Sequence, residues 1–303
     1  MIPFSISIAV LSLVQGAVVA IPRAWEPGRL ARLRGRRWAL IPPVSVIAFV
    51  LIAREAERAS ADGLTYLALL AVPTLAALTL GWLAWYADRP RPRWALLVVP
   101  LFALAWADRG GLAGETAALG LSALSCAALG ALLAAVTPAR WLAGGIVAMA
   151  LADTALVVSD LLQRPNDALN AAHPAAGLPR LQSAVFGSAV MGYGDLFVAG
   201  VLGGLLATAM GRRLQLRGAA LAALLALAFD LLFFFVDELP ATVPVALTLL
   251  ALMAWRPGLE RSGAKPWSHP RRARSGPVVD GRPERSQPAP AQTPPPPRAP
   301  AGR

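Results

Sequence analysis

WLAGGIVAMALADTALVVSDLL, residues 141 to 162, is an apolar run whose only charges are Asp153 and Asp160. At 1.5 Å per residue a helix over this run reaches about 33 Å, close to the thickness of a bilayer's hydrocarbon core. A second run follows at 183 to 208, SAVFGSAVMGYGDLFVAGVLGGLLAT, with Asp195 near its middle. Both are rich in Leu and Ala and lack the strict alternation of a barrel strand. Helices are therefore the natural way for their backbones to satisfy themselves in hydrocarbon.

Working outward, similar runs lie at about 3 to 21, 39 to 53, 65 to 86, 94 to 107, 114 to 136, 218 to 236 and 240 to 255. The expectation is an all-α polytopic membrane protein with about nine transmembrane helices. Composition agrees, with 56% hydrophobic and 15% charged residues and a mean hydropathy of +0.57, too little polar surface for a soluble domain of this length. Runs 39 to 53 and 94 to 107 are short, and Pro42 and Pro43 interrupt the first of them. Each reads as a tilted span or a re-entrant segment.

The net charge of +11 is arranged as a topology signal rather than as a nucleic-acid footprint. With nine spans, thirteen arginines fall in the loops at 23 to 37, 89 to 93, 140 and 212 to 217. Five (Arg54, Arg58, Arg109, Arg164 and Arg180) fall on the other side. The positive-inside rule then places the amino terminus outside and the carboxyl terminus in the cytoplasm. Val18-Val19-Ala20 resembles a signal-peptide cleavage region, but the arginines that follow favour a retained signal-anchor helix.

Two regions are expected: a transmembrane domain over 1–256, with the chemistry in 141–255, and a Pro- and Arg-rich tail over 257–303. The tail has too little apolar surface to fold and should be disordered, with local polyproline II character. Its basic residues and those of the loops should contact anionic lipid. Cys126 is the only cysteine, and His173 and His269 stand apart. That leaves no disulfide and no basis for a metal or other cofactor, so chemistry must come from carboxylates.

Glu115, Asp153, Asp160, Asp195 and Asp230 lie in or at the edges of apolar runs, and a carboxylate at membrane depth is a functional-site hypothesis by default. On adjacent antiparallel helices the depths of Asp153 and Asp195 differ by only about 5 Å, so their carboxyls can meet. Asp160 lies nearer the outer boundary, one i, i+7 step from Asp153, where it could shape an entrance or stay interfacial beside Arg164. Gly192 and Gly194 strip side-chain bulk from both sides of Tyr193, allowing close packing or an opened helix turn. Pro240-Ala241-Thr242-Val243-Pro244 begins the final run, where prolines bend the helix start or simply open it. Asp230 fits a support, packing or polar-contact role equally.

At these residues the chain resembles the presenilin and signal-peptide-peptidase family of GxGD intramembrane aspartyl proteases. Gly192-Tyr193-Gly194-Asp195 matches the family's second catalytic motif, and Asp153 fits the first, although Ala152 stands where that motif usually has Tyr. Pro240-Ala241-Thr242 is similar to the family's Pro-Ala-Leu motif, with Thr242 in place of Leu. The resemblance implies a nine-span fold and an Asp153/Asp195 dyad that hydrolyses peptide bonds within transmembrane helices or signal-peptide remnants. The two carboxyls would share one proton, one activating water and the other polarising the scissile carbonyl.

Two alternatives stand beside it. Met191 to Asp195 and Ser159 to Asn166 also resemble the aspartate motifs of prepilin peptidases, implying an Asp160/Asp195 pair, but the lysine expected after the second aspartate is replaced by Phe197 and Val198. Paired membrane aspartates also suit a proton-coupled transporter, although no two-half repeat is visible. Either way the expected location is a bacterial plasma membrane.

Overall fold

The structure is a computed structural model, and it describes residues 3–24, 32–55, 57–83, 90–161, 163–172, 177–235 and 239–254. The expected basic tail lies outside the described residues. Helix α1 is Phe4–Ala20, α2 Ile41–Glu55, α3 Glu57–Gly81, α4 Val98–Ala107, α5 Leu112–Val136 and α6 Ala139–Val158. The short α7, Gln163–Ala171, precedes strands β1 (Ser183–Phe186) and β2 (Ala189–Gly192), then α8 (Tyr193–Ala209), α9 (Arg212–Asp230) and α10 (Val243–Ala254).

The nine-span expectation fails on this architecture. Among the described residues three helices are long and apolar enough to cross a membrane: Ala59–Gly81, Leu112–Val136 and Ala139–Val158. The apolar helices Phe4–Ala20, Pro92–Ala107, Tyr193–Ala209 and Val243–Ala254 are shorter. Summed hydropathy overlooks where the backbone breaks. The run at 94 to 107 divides into a 3-10 turn, Pro92–Leu97, and the ten-residue α4. The last run leaves only the twelve residues of α10. Helix α9 opens with Arg212 and Arg213 and closes in a 3-10 turn at Leu231–Phe234. The outside-to-cytoplasm orientation rested on nine alternations and falls with them. The three qualifying helices are consistent with membrane association.

Nor is the fold all-α. The run at 183 to 208 divides into an antiparallel hairpin and a helix, with Ser183 paired to Gly192 and Phe186 to Ala189. Gly187 takes φ +59° at the first turn position, as a two-residue hairpin turn with glycine there requires. The turn is pinned from two sides. The Gly187 N–H donates to the Glu115 carboxylate at 2.7 Å, and the Ser188 N–H to the Ser7 hydroxyl at 3.2 Å.

Helix α8 forms the centre of the bundle. Leu196, Val198, Ala199, Val201, Leu202, Leu205 and Leu206 are all wholly buried, against α1, α5, α6, α9 and α10. Its spacing Gly200-x-x-x-Gly204 permits the closest approach, to α5: a Cβ on Gly200 would overlap the Cys126 carbonyl, and one on Gly204 the Gly130 carbonyl. Small residues at this interval let two helix backbones pack in near contact. By contrast α3 and α6 turn large apolar side chains outward, with Leu70 72% and Val158 81% exposed, as helices beside lipid do.

Candidate functional site

Asp153 and Asp195 line one cavity of about 520 Å³, walled mostly by Val46, Leu64, Leu67, Val72, Leu75 and Met149 from α2, α3 and α6. Asp153 projects from α6 and is only 8% exposed. Its Oδ2 accepts two hydrogen bonds from Thr242, from the hydroxyl at 2.6 Å and the backbone N–H at 3.3 Å. Thr242 is wholly buried and sits just ahead of α10, where its carbonyl accepts the Ala246 N–H at 3.2 Å. The Gln15 amide of α1 donates to the Ala241 carbonyl at 3.3 Å, and the Val243 N–H to the Pro240 carbonyl at 3.1 Å. Pro240, Ala241 and Thr242 therefore form a strap between α1 and α10 whose threonine grips Asp153.

Asp195 is placed by the start of α8. Gly192 is extended (φ −65°, ψ 144°) and caps the helix, and its N–H donates to Asp195 Oδ2 at 3.2 Å. A carboxylate at the third helical position satisfies a free donor and complements the positive end of the helix dipole. Tyr193 points into the bundle, where its hydroxyl shares a 2.8 Å hydrogen bond with the Ser125 hydroxyl of α5. The Cys126 thiol approaches the Tyr193 carbonyl at 3.8 Å. Gly194 is different: a Cβ there would meet nothing within 4 Å, and the space beside it belongs to the cavity.

The two carboxyls feel one another electrostatically, yet no hydrogen bond joins them. Each is held by its own partners, one by a threonine strap and the other by a helix cap. The catalytic dyad expected of an intramembrane aspartyl endopeptidase is not formed. With three qualifying spans and a strand hairpin directly ahead of Asp195, the family's nine-span architecture is not found among the described residues either. The presenilin-like and signal-peptide-peptidase-like resemblance, the hydrolase activity and the transmembrane peptide substrates are corrected together. A proton-coupled transporter built on the same nine spans fails on the same ground.

Asp160 does not enter the cavity. It is exposed just beyond α6, at φ +53° in the left-handed region, so the prepilin-peptidase pairing with Asp195 also fails. Asp230, at the end of α9, accepts a 2.6 Å hydrogen bond from the Ser12 hydroxyl of α1 and acts on Asp195 through its field. Among the described residues no group of three or more His, Cys, Asp or Glu is placed to hold a metal ion.

Sequence reading overlooked Gln182 and Ser183, which line the same cavity and are each 4% exposed. The signal was present: two adjacent polar residues at the head of an apolar run. A second cavity, of about 410 Å³, lies between the α4–α5 turn and residues 177–180, with Arg109, Glu115 and Arg180 among its lining. There the Arg109 guanidinium donates to the Gly177 carbonyl. Comparison with protein-family models, with curated proteins and with solved structures found no match.

Proposed function

We propose that this chain is an integral membrane protein of a bacterial plasma membrane whose carboxylate-lined cavity binds an organic cation with an apolar body. One observation carries the reading: Asp153 and Asp195 open into a single cavity whose other walls are mainly hydrocarbon. Two acidic groups in a poorly solvated space repel each other, and a cation between them offsets one of the two charges and relieves the repulsion. The apolar walls supply area for the rest of the ligand, the usual division of labour in a small-molecule site. Helices α3, α5 and α6 support the membrane placement, and a cation count that is nearly all arginine, with Lys265 the sole lysine, fits a GC-rich bacterial genome. In this reading residues 1–256 are the membrane domain and 257–303 a separate basic tail.

Calorimetric titration of the purified full chain in a nonionic detergent tests it. The ligands are phenylbutyltrimethylammonium, phenylbutanol and phenylbutyrate, which share a body and differ in charge. The cation should bind most tightly and the carboxylate least. Asp153→Asn and Asp195→Asn, compared at matched thermal stability, should each weaken the cation by about ten- to a hundred-fold, the range of a charged hydrogen-bonding partner. Equal affinity for cation and alcohol would refute the reading.

A further inference from the structure

Helix α3 turns one face to the carboxylate-lined cavity and another to its surroundings, and one residue belongs to both. Leu64, Leu67, Ala68, Ala71, Val72 and Leu75 line the cavity, at the i, i+3, i+4, i+7, i+8 and i+11 spacing of a single helix face. This stripe runs about 17 Å along the helix axis. Over the same stretch the exposed residues are Tyr66, Leu67, Leu70 and Thr74, which form the outward face beside it. Leu67, 58% exposed, therefore stands where the cavity wall turns into the outer surface and marks the cavity's rim. Val190 of β2, 51% exposed, also lines the cavity.

The depth of that rim decides what can pass it. Helix α3 carries one of the three qualifying spans, and Leu67 lies about 12 Å from its Ala59 end and about 21 Å from its Gly81 end. A bilayer's hydrocarbon core is about 30 Å thick, so the rim faces acyl chains rather than water. Asp153 and Asp195 lie in the same cavity as the apolar stripe. An occupant that complements both has a positive head and a flexible hydrocarbon tail.

Building on the cation reading above, we infer that the ligand is a single-chain cationic amphiphile that enters sideways from the bilayer, past Leu67. Its head meets the carboxylates and its alkyl chain lies along the α3 stripe. Lipid tails are as apolar as leucine, so the chain gains little by exchanging one for the other. Attraction between the head and the carboxylates then selects the cation from the other amphiphiles of the membrane.

Photolabelling of the full chain in phosphatidylcholine nanodiscs tests the inference. The probe is dodecyltrimethylammonium with a diazirine near the chain end, and phenylbutyltrimethylammonium is the competitor. Competitor-sensitive label, mapped by peptide mass spectrometry, should fall within residues 64–75 of α3. Leu67→Trp, which bulks the rim, should cut that label at least about three-fold, while Leu70→Trp, on the outward face, should leave it within about two-fold of wild type. Suppose phenylbutyltrimethylammonium outbinds phenylbutanol in titration but competitor-sensitive label is absent from α3: the inference is then overturned while the cation reading stands. Equal effects of the two tryptophan variants would overturn it too. If phenylbutyltrimethylammonium binds no more tightly than phenylbutanol, the cation reading itself fails and takes the inference with it.

Discussion

Thr242→Val replaces the hydroxyl that donates to Asp153 with a methyl group of nearly the same size. The donor lies 2.6 Å from Asp153 Oδ2, and the two residues are wholly buried and 8% exposed, so water cannot easily take its place. A hydrogen bond to a charged group contributes about 1.5–3 kcal/mol net. The Thr242 N–H remains at 3.3 Å and limits the loss to that one bond. For a domain of this size each kcal/mol moves the melting midpoint by about 2–4 °C, so the variant should melt about 3–12 °C below wild type. Tryptophan fluorescence melts in detergent, at fixed protein concentration, read this directly. The same substitution in an Asp153→Asn background should cost about 1 kcal/mol less, because the bond is then between neutral groups. A midpoint drop under about 1 °C, or an identical drop in both backgrounds, would refute the assignment of Thr242 as the clamp on an ionised Asp153.

Three further outcomes test other parts of the structure. Gly200→Ala should destabilise by about 1–3 kcal/mol, because the new methyl overlaps the Cys126 carbonyl; Gly194→Ala, in open space, should be neutral or stabilising by up to about 1 kcal/mol, and thermal melts of the pair compare them. Tyr193→Phe, which removes the hydrogen bond to Ser125, should cost about 1 kcal/mol by the same measurement. In ligand titrations Asp160→Asn should leave cation affinity within about two-fold of wild type, because Asp160 is exposed and does not line the cavity.

The arrangement explains how a short strap can hold a charged group inside a bundle. Helix α1 reaches Ala241 through Gln15 and Asp230 through Ser12, so the end of α9 and the segment leading into α10 are tied to one helix. Helix α8 is locked to α5 by glycine contacts lower down and by Tyr193 at its first turn. The carboxylates of α6 and α8 are consequently presented by elements that cannot shift independently. Such rigid support is what a preorganised binding site needs.

Apolar composition and the rarity of carboxylates within apolar runs are properties of the chain alone, so some membrane association and the expectation that Asp153 and Asp195 stand in apolar surroundings follow from the residues in order. Gly-Tyr-Gly-Asp suggests close packing or an opened turn within one continuous helix, whereas a strand ends and helix α8 begins there. The hairpin was also written locally, in Val185, Phe186, Val190 and the Gly187-Ser188 turn, but hydropathy summed over 183 to 208 hides it, because strand and helix bury apolar residues equally well. The number of spanning helices was not legible, since a run's length says nothing of where prolines and turns break it. Only the tertiary structure decided that Thr242 clamps Asp153 and that Gln182 and Ser183 share their cavity. Those contacts join residues tens of positions apart, and a side chain's partners depend on which helices pack together rather than on its neighbours in sequence.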